Sequence, residues 1–95
     1  MISRKLAELF KIFGDETRIK IISELFDSEK CVSEISTNLK LSQSLISHQL
    51  KILKDANLID YKKNGKNIIY FLIDNHVKTI YEMGREHILE QKGGN

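Results

Sequence analysis

Apolar positions recur along this chain in two rhythms, and the change from one to the other marks its parts. Leu6, Leu9, Phe10 and Phe13 follow the spacing of a helix face, and Gly14 interrupts it as a stop signal. Asp15 is placed to cap a second helix by accepting a backbone N–H bond. That helix carries Ile19, Ile22, Leu25 and Phe26 on one stripe. Val32, Ile35 and Leu39 repeat at i, i+3 and i+7 and predict a short third helix. In LKLSQSLISHQLKILKDANLI, Ser42 is an N-cap candidate, and Ile46, Leu50 and Leu53 form the core stripe of a fourth helix.

Past this point the pattern becomes that of strands. LIDYKK (Leu58–Lys63) and KNIIYFLI (Lys66–Ile73) are β-rich runs separated by Asn64-Gly65. Asn-Gly is the strongest short hairpin signal, because both central positions of a type I′ turn take positive φ. A last helix is expected from about Asp74 to Gln91, with residues 92–95 as a frayed tail.

A short helix, a three-residue turn and a helix with a polar face make a helix-turn-helix, and a hairpin directly after it makes a wing. The turn lacks the glycine often found there, since Lys40 and Leu41 occupy it. The expected fold is mainly α with a β-hairpin wing, a winged helix-turn-helix in one domain over residues 1–95. At about 100° per residue, Ser44, Ser47, His48 and Lys51 share the side of the fourth helix opposite its core stripe, with Gln43 beside Ser47.

Charge sharpens this picture. The net charge is only +2, but Lys40 to Tyr70 holds Lys40, Lys51, Lys54, Lys62, Lys63 and Lys66 against Asp55 and Asp60. A basic middle on a near-neutral chain suits an acidic partner such as nucleic acid, although a solvated lysine-rich surface would read the same on charge alone. The expected DNA contacts are Gln43, Ser44, Ser47, His48 and Lys51 from the helix, with Lys62, Lys63 and Lys66 from the wing. A domain of 95 residues buries about two thirds of its unfolded surface, so a dimer interface would add useful stability. No apolar run approaches the ~20 residues that cross a bilayer. MISRKLAELFKIFGDE carries charge within its apolar pattern and reads as a helix rather than a signal peptide. The one cysteine, Cys31, allows no internal disulfide, and a cytoplasmic setting is expected.

The segments KIFGDETRIKIISEL (Lys11–Leu25) and LSQSLISHQLKILKDANLI (Leu41–Ile59), the wing through Tyr70, and a final Asp-x-His…His-x-x-Glu pattern together resemble the ArsR/SmtB family of metal-responsive repressors. The resemblance covers nearly the whole chain. It implies a winged-helix homodimer with N- and C-terminal dimerisation helices. Such a dimer binds an operator, an imperfect inverted repeat in double-stranded DNA, without metal and leaves it on metal binding, controlling metal efflux or sequestration genes. The last motif is the specific one. The zinc-responsive branch has Asp-x-His, ten residues, then His-x-x-Glu or His-x-x-His on its last helix. Here Asp74-Asn75-His76 is followed by ten residues and then His87-Ile88-Leu89-Glu90. The resemblance therefore implies Asp74, His76, His87 and Glu90 as metal ligands.

Helix geometry bears on that set independently. His76, His87 and Glu90 fall within about 60° of one another, and Asp74 sits at the N-terminus, where a carboxylate is favoured. The histidines are about 16 Å apart at 1.5 Å per residue. Zinc–ligand bonds are about 2 Å, so a site drawn from both ends needs two antiparallel copies of the helix. Two imidazoles and two carboxylates suit tetrahedral Zn²⁺; Co²⁺ fits the same geometry, and Ni²⁺ wants more ligands. Ordinary solvated surface residues are the alternative. The branch also implies that His87 bonds to a backbone carbonyl near Asn57.

Cys31-Val32-Ser33 lies where other members of the family carry a Cys-x-Cys pair for soft metals, and Ser33 removes the second thiolate. No Gly-rich phosphate loop, HExxH or serine elbow is present, and four protein ligands leave zinc no position for activated water, so an enzyme is not expected. Two other readings remain: a winged-helix repressor with a non-metal signal, and a protein-binding winged-helix module.

Overall fold

Asp15 begins the second helix one residue after Gly14 ends the first. In the computed structural model, which describes residues Met1–Gly93, its backbone is extended (φ −108°, ψ 127°) and its carboxylate accepts the Arg18 N–H at 3.1 Å. Helix α1 (Ile2–Phe13) runs into this cap and α2 (Glu16–Glu24) leaves it. Gly14 does stop α1, but not through a left-handed turn: its φ is −76°. There a Cβ would meet the carbonyl oxygens of Lys11 and Phe10 at 3.3 and 3.4 Å.

Helices α3 (Val32–Leu39) and α4 (Gln43–Asp55) are joined by the expected three residues. Lys40 takes the left-handed conformation itself, with φ 58° and ψ 44°. The N–H of Leu41 bonds to Ser36 O at 3.1 Å and that of Lys40 to Thr37 O at 3.3 Å, so α3 closes in a Schellman motif without glycine. Helix α4 ends the same way: Asn57 has φ 61°, and the N–H groups of Leu58 and Asn57 bond to the carbonyls of Leu53 and Lys54. At the start of α3, Glu34 accepts the Cys31 N–H at 3.0 Å, and that bond, more than any other influence, holds its carboxyl below the usual range.

Strands β1 (Ile59–Asn64) and β2 (Asn67–Leu72) form the antiparallel wing. Its turn differs from the sequence expectation by one residue. Asn64 pairs with Asn67, so the central turn residues are Gly65-Lys66, not Asn64-Gly65. Only Gly65 has positive φ, at 66°, as a type II′ turn requires at its first central position. The wing also gains an isolated bridge that periodicity did not reveal: Lys30 and Tyr70 exchange backbone bonds of 3.1 and 2.8 Å.

The core lies where α2, α3, α4 and β1 meet. Ile21, Ile22, Ile35, Ile46, Leu50, Leu53 and Ile59 are fully buried, each side chain contributing about 1.5–3 kcal/mol. Of the stripe read for α2, Ile22 and Leu25 enter the core, but Ile21 joins them fully enclosed, while Ile19 and Phe26 are only partly covered. Helix α5 (Asn75–Gly93) packs on α2 and β2; its Val77 is buried, and its Tyr81 meets Phe26, just past the end of α2, edge to face with ring centroids 4.8 Å apart. It extends over Lys92 and Gly93, which were expected in the frayed tail; residues 94 and 95 of that tail lie outside the described residues. Among the described residues no helix is long and apolar enough to cross a membrane.

Candidate nucleic-acid interface and metal ligands

Ser42 starts α4 by accepting the Leu45 N–H on its hydroxyl at 3.1 Å. With Ile46, Leu50 and Leu53 turned into the core, Gln43, Ser44, Ser47, His48 and Lys51 are all exposed on the outer side. Lys51 reaches Asp55 one turn on at 3.2 Å, an exposed pair worth at most a few tenths of a kcal/mol and easily exchanged for another anion.

The wing lysines do not share a face. Register places Ile59, Tyr61 and Lys63 opposite Leu72, Tyr70 and Ile68 on one side, and Asp60 and Lys62 opposite Phe71 and Ile69 on the other. Lys62 is bound on that second side, 2.8 Å from Glu29 and with its Nζ 5.9 Å from the Phe71 ring centre. Lys63 and Lys66 are exposed near the tip. Between α4 and the wing is a notch of about 300 Å³ lined by Ser47, Leu50, Lys51, Lys54, Asp55, Tyr61 and Tyr70. Lys54 stands 5.7 Å from the Tyr61 ring centre, and the rings of Tyr61 and Tyr70 lie 5.7 Å apart. Burial, and then Tyr61, pushes the Tyr70 phenol above its ordinary value. Tyr61 was not among the DNA contacts expected from sequence, and Lys54 entered there only as part of the basic middle. The signal was the alternation of β1, which puts Tyr61 on the side of Ile59.

At the start of α5, Asp74 accepts the His76 N–H on Oδ1 at 2.9 Å, and its Oδ2 lies 3.4 Å from His76 Nδ1. The fold thus brings Asp74 and His76 together, with the His76 side chain 89% exposed. His87 and Glu90 are exposed near the other end of the helix. Among the described residues, no three His, Cys, Asp or Glu side chains of one chain converge on a point that could hold a metal. Cys31 is a partly covered free thiol at the N-cap of α3, its Sγ 3.1 Å from Ser33 Oγ.

Residues 15–61, which contain α2, the helix-turn-helix and the first residues of the wing, match the family of bacterial regulatory proteins described as the arsR family. A transcriptional repressor SmtB homolog from Synechocystis is 36% identical over 88 residues, 93% of this chain and 67% of that protein. The chain belongs to the ArsR family. A cadmium resistance transcriptional regulatory protein CadC homolog from Staphylococcus aureus is also 36% identical, over 86% of this chain and 69% of that protein. Among solved structures, reduced HlyU from Vibrio cholerae superposes with a TM-score of 0.79 at 34% identity, covering 85% of each chain. An ArsR-family chain with a helix-turn-helix and wing is a DNA-binding transcriptional regulator and not an enzyme.

Proposed function

We propose that the protein is a zinc-responsive repressor that holds operator DNA as a metal-free homodimer and leaves it when zinc is bound. The split donor set on one exposed helix carries this reading. Asp74 and His76 stand together at the start of α5, and His87 and Glu90 lie exposed near its end. Eleven residues of helix part the two histidines by about 16 Å. Two α5 helices packed antiparallel about a two-fold axis would set Asp74 and His76 of one protomer against His87 and Glu90 of the other, and would do so twice. The donor chemistry fits: two imidazole nitrogens and two carboxylates suit four-coordinate Zn²⁺, and Co²⁺ equally. Bound there, the ion would supply a cross-link between the two helices and no open position for a reactant.

The chain's own residues do the rest. Gln43, Ser44, Ser47 and His48 read base edges and phosphates, while Lys51, Lys63 and Lys66 neutralise the backbone and Lys62, held by Glu29, contributes less. The two α4 helices of the dimer enter successive major grooves about 34 Å apart on an imperfect inverted repeat. His87 keeps a second ring N–H for a backbone acceptor, and the carbonyls around Asn57, where α4 ends, are the candidates that would join the ligands to the reading helix. The likeness to a CadC homolog supports a metal signal. Linkage then requires zinc to favour the free dimer by the factor by which it weakens DNA binding, a coupling on the order of 1–3 kcal/mol.

The test is calorimetric titration of the purified protein with Zn²⁺, with and without a duplex that the metal-free protein selects from random-sequence DNA. His76→Ala and His87→Ala should keep metal-free DNA affinity and lose zinc-driven release. A variant that still leaves DNA at the wild-type zinc concentration removes its histidine from the site. The likeness to HlyU favours a second reading, a regulator of the same fold with a non-metal signal; DNA affinity indifferent to zinc would select it.

A further inference from the structure

Arg18 sits on the first turn of α2, partly buried, and its guanidinium spans two other helices. Its Nε donates to the carbonyl oxygen of Ile12 in the last turn of α1 at 2.8 Å. Its Nη1 donates to Oε1 of Gln49 in the middle of α4 at 3.0 Å. The backbone N–H of the same residue is held by Asp15 at 3.1 Å, so the stem of the side chain is fixed by the cap of α2. The apolar contacts between α2 and α4 set their separation but tolerate some rotation and sliding, because dispersion and burial are non-directional. The guanidinium adds directional restraint: it is planar and rigid, and its bonds weaken steeply as angles depart from linear. Gln49 lies between exposed His48 and fully buried Leu50, so turning α4 about its axis moves Gln49 and the outer face together.

We propose that Arg18 is a positioning residue for DNA recognition: it fixes the rotation of α4 against the α1–α2 corner and so aims the reading face. The proposal rests on the assignment of that face to DNA. Arg18 would act through α4 and not by contact with DNA.

The experiment compares wild type with Arg18→Met, Arg18→Lys, Gln49→Met and Arg18→Met/Gln49→Met in the full chain. One readout is the affinity for the selected duplex divided by that for an unrelated duplex. The other is the orientation of α4 relative to α2 in the DNA-free protein, from residual dipolar couplings of backbone amides. Each methionine variant should lower the affinity ratio about tenfold, the loss expected for a directional partly buried bond, and α4 should turn. The double variant should lose no more than Arg18→Met, as expected for two groups acting through one contact. Arg18→Lys keeps the charge and most of the stem but cannot fork to both acceptors, so it should lose the same ratio if the methionine variant fails to fold. A lower melting temperature with the ratio and the orientation of α4 unchanged overturns the proposal, because a purely stabilising contact would behave so. Multiplying losses in the double variant also overturn it, since Gln49 would then act on DNA by itself. If wild type shows no sequence preference while α4 still turns in Arg18→Met, the restraint on α4 stands and the assignment of its outer face to DNA falls.

Discussion

Lys40 does work that glycine usually does. A left-handed conformation costs an ordinary L-residue about 1–2 kcal/mol, because its Cβ crowds the following carbonyl. The Schellman bonds to Thr37 and Ser36, and the Ser36 hydroxyl that donates to Leu41 O, hold it there. Lys40→Gly should therefore raise stability, by about 1 kcal/mol after the entropy of glycine in the unfolded chain is counted. Denaturant melts would show it as a higher midpoint with an unchanged slope. A lower midpoint would mean that the lysine side chain contributes more than the backbone strain costs. The missing glycine was visible in sequence; that the turn keeps its length by straining lysine was not, because a residue's φ depends on the bonds its neighbours offer.

In the wing, one residue of register decides what each lysine faces. Reading Asn64-Gly65 as the turn centre follows the commonest preference, yet Gly65-Lys66 occupies it and Asn64 pairs with Asn67. Adjacent residues point to opposite faces of a strand, so Lys62 and Lys63 diverge. Lys62 is engaged by Glu29 and Phe71, and Lys63 is not on that side. Replacing Lys63 or Lys66 by alanine should flatten the log–log salt dependence of DNA binding by about one unit each, the signature of one lost phosphate contact. Lys62→Ala should change the slope less. Equal slopes for Lys62→Ala and Lys63→Ala would show that the Glu29 pair yields to DNA.

The whole molecule carries apolar surface that its own chain does not cover. Its radius of gyration is 14.3 Å, against about 12 Å for a compact chain of this length. Phe10, Met83, Ile88 and Leu89 are about half exposed or more, and a groove of about 420 Å³ runs between α1, α2 and α5 over Phe13, Ile19 and Ile80. A second copy seated there would bury this surface and bring two α5 helices together, as the proposed metal site requires. Phe10→Asp or Leu89→Asp should give a folded monomer in sedimentation at micromolar concentration. If the proposed zinc site is shared between protomers, both should also lose zinc binding although neither supplies a ligand. A dimer that survives both substitutions would place the interface elsewhere.

Composition, periodicity and motif were enough to determine the four helices, the presence of the hairpin though not its turn residues, the last helix, the polar side of α4 and the pattern Asp74, His76, His87, Glu90. These depend on local spacing, and local spacing is written in the chain. What the tertiary structure decided depends on partners distant in sequence. Ile21 rather than Ile19 entered the core because α2 is wedged between α4 and α5, and periodicity alone leaves the phase of a short helix free. Lys30 joined Tyr70 at the edge of the wing because the chain before α3 passes beside β2. Lys62 was drawn to Glu29, and Arg18 to Gln49 across 31 positions, because folding put an acceptor within reach of a long cation. No pattern in the sequence encodes such a pairing, since it is set by where the backbone comes to lie.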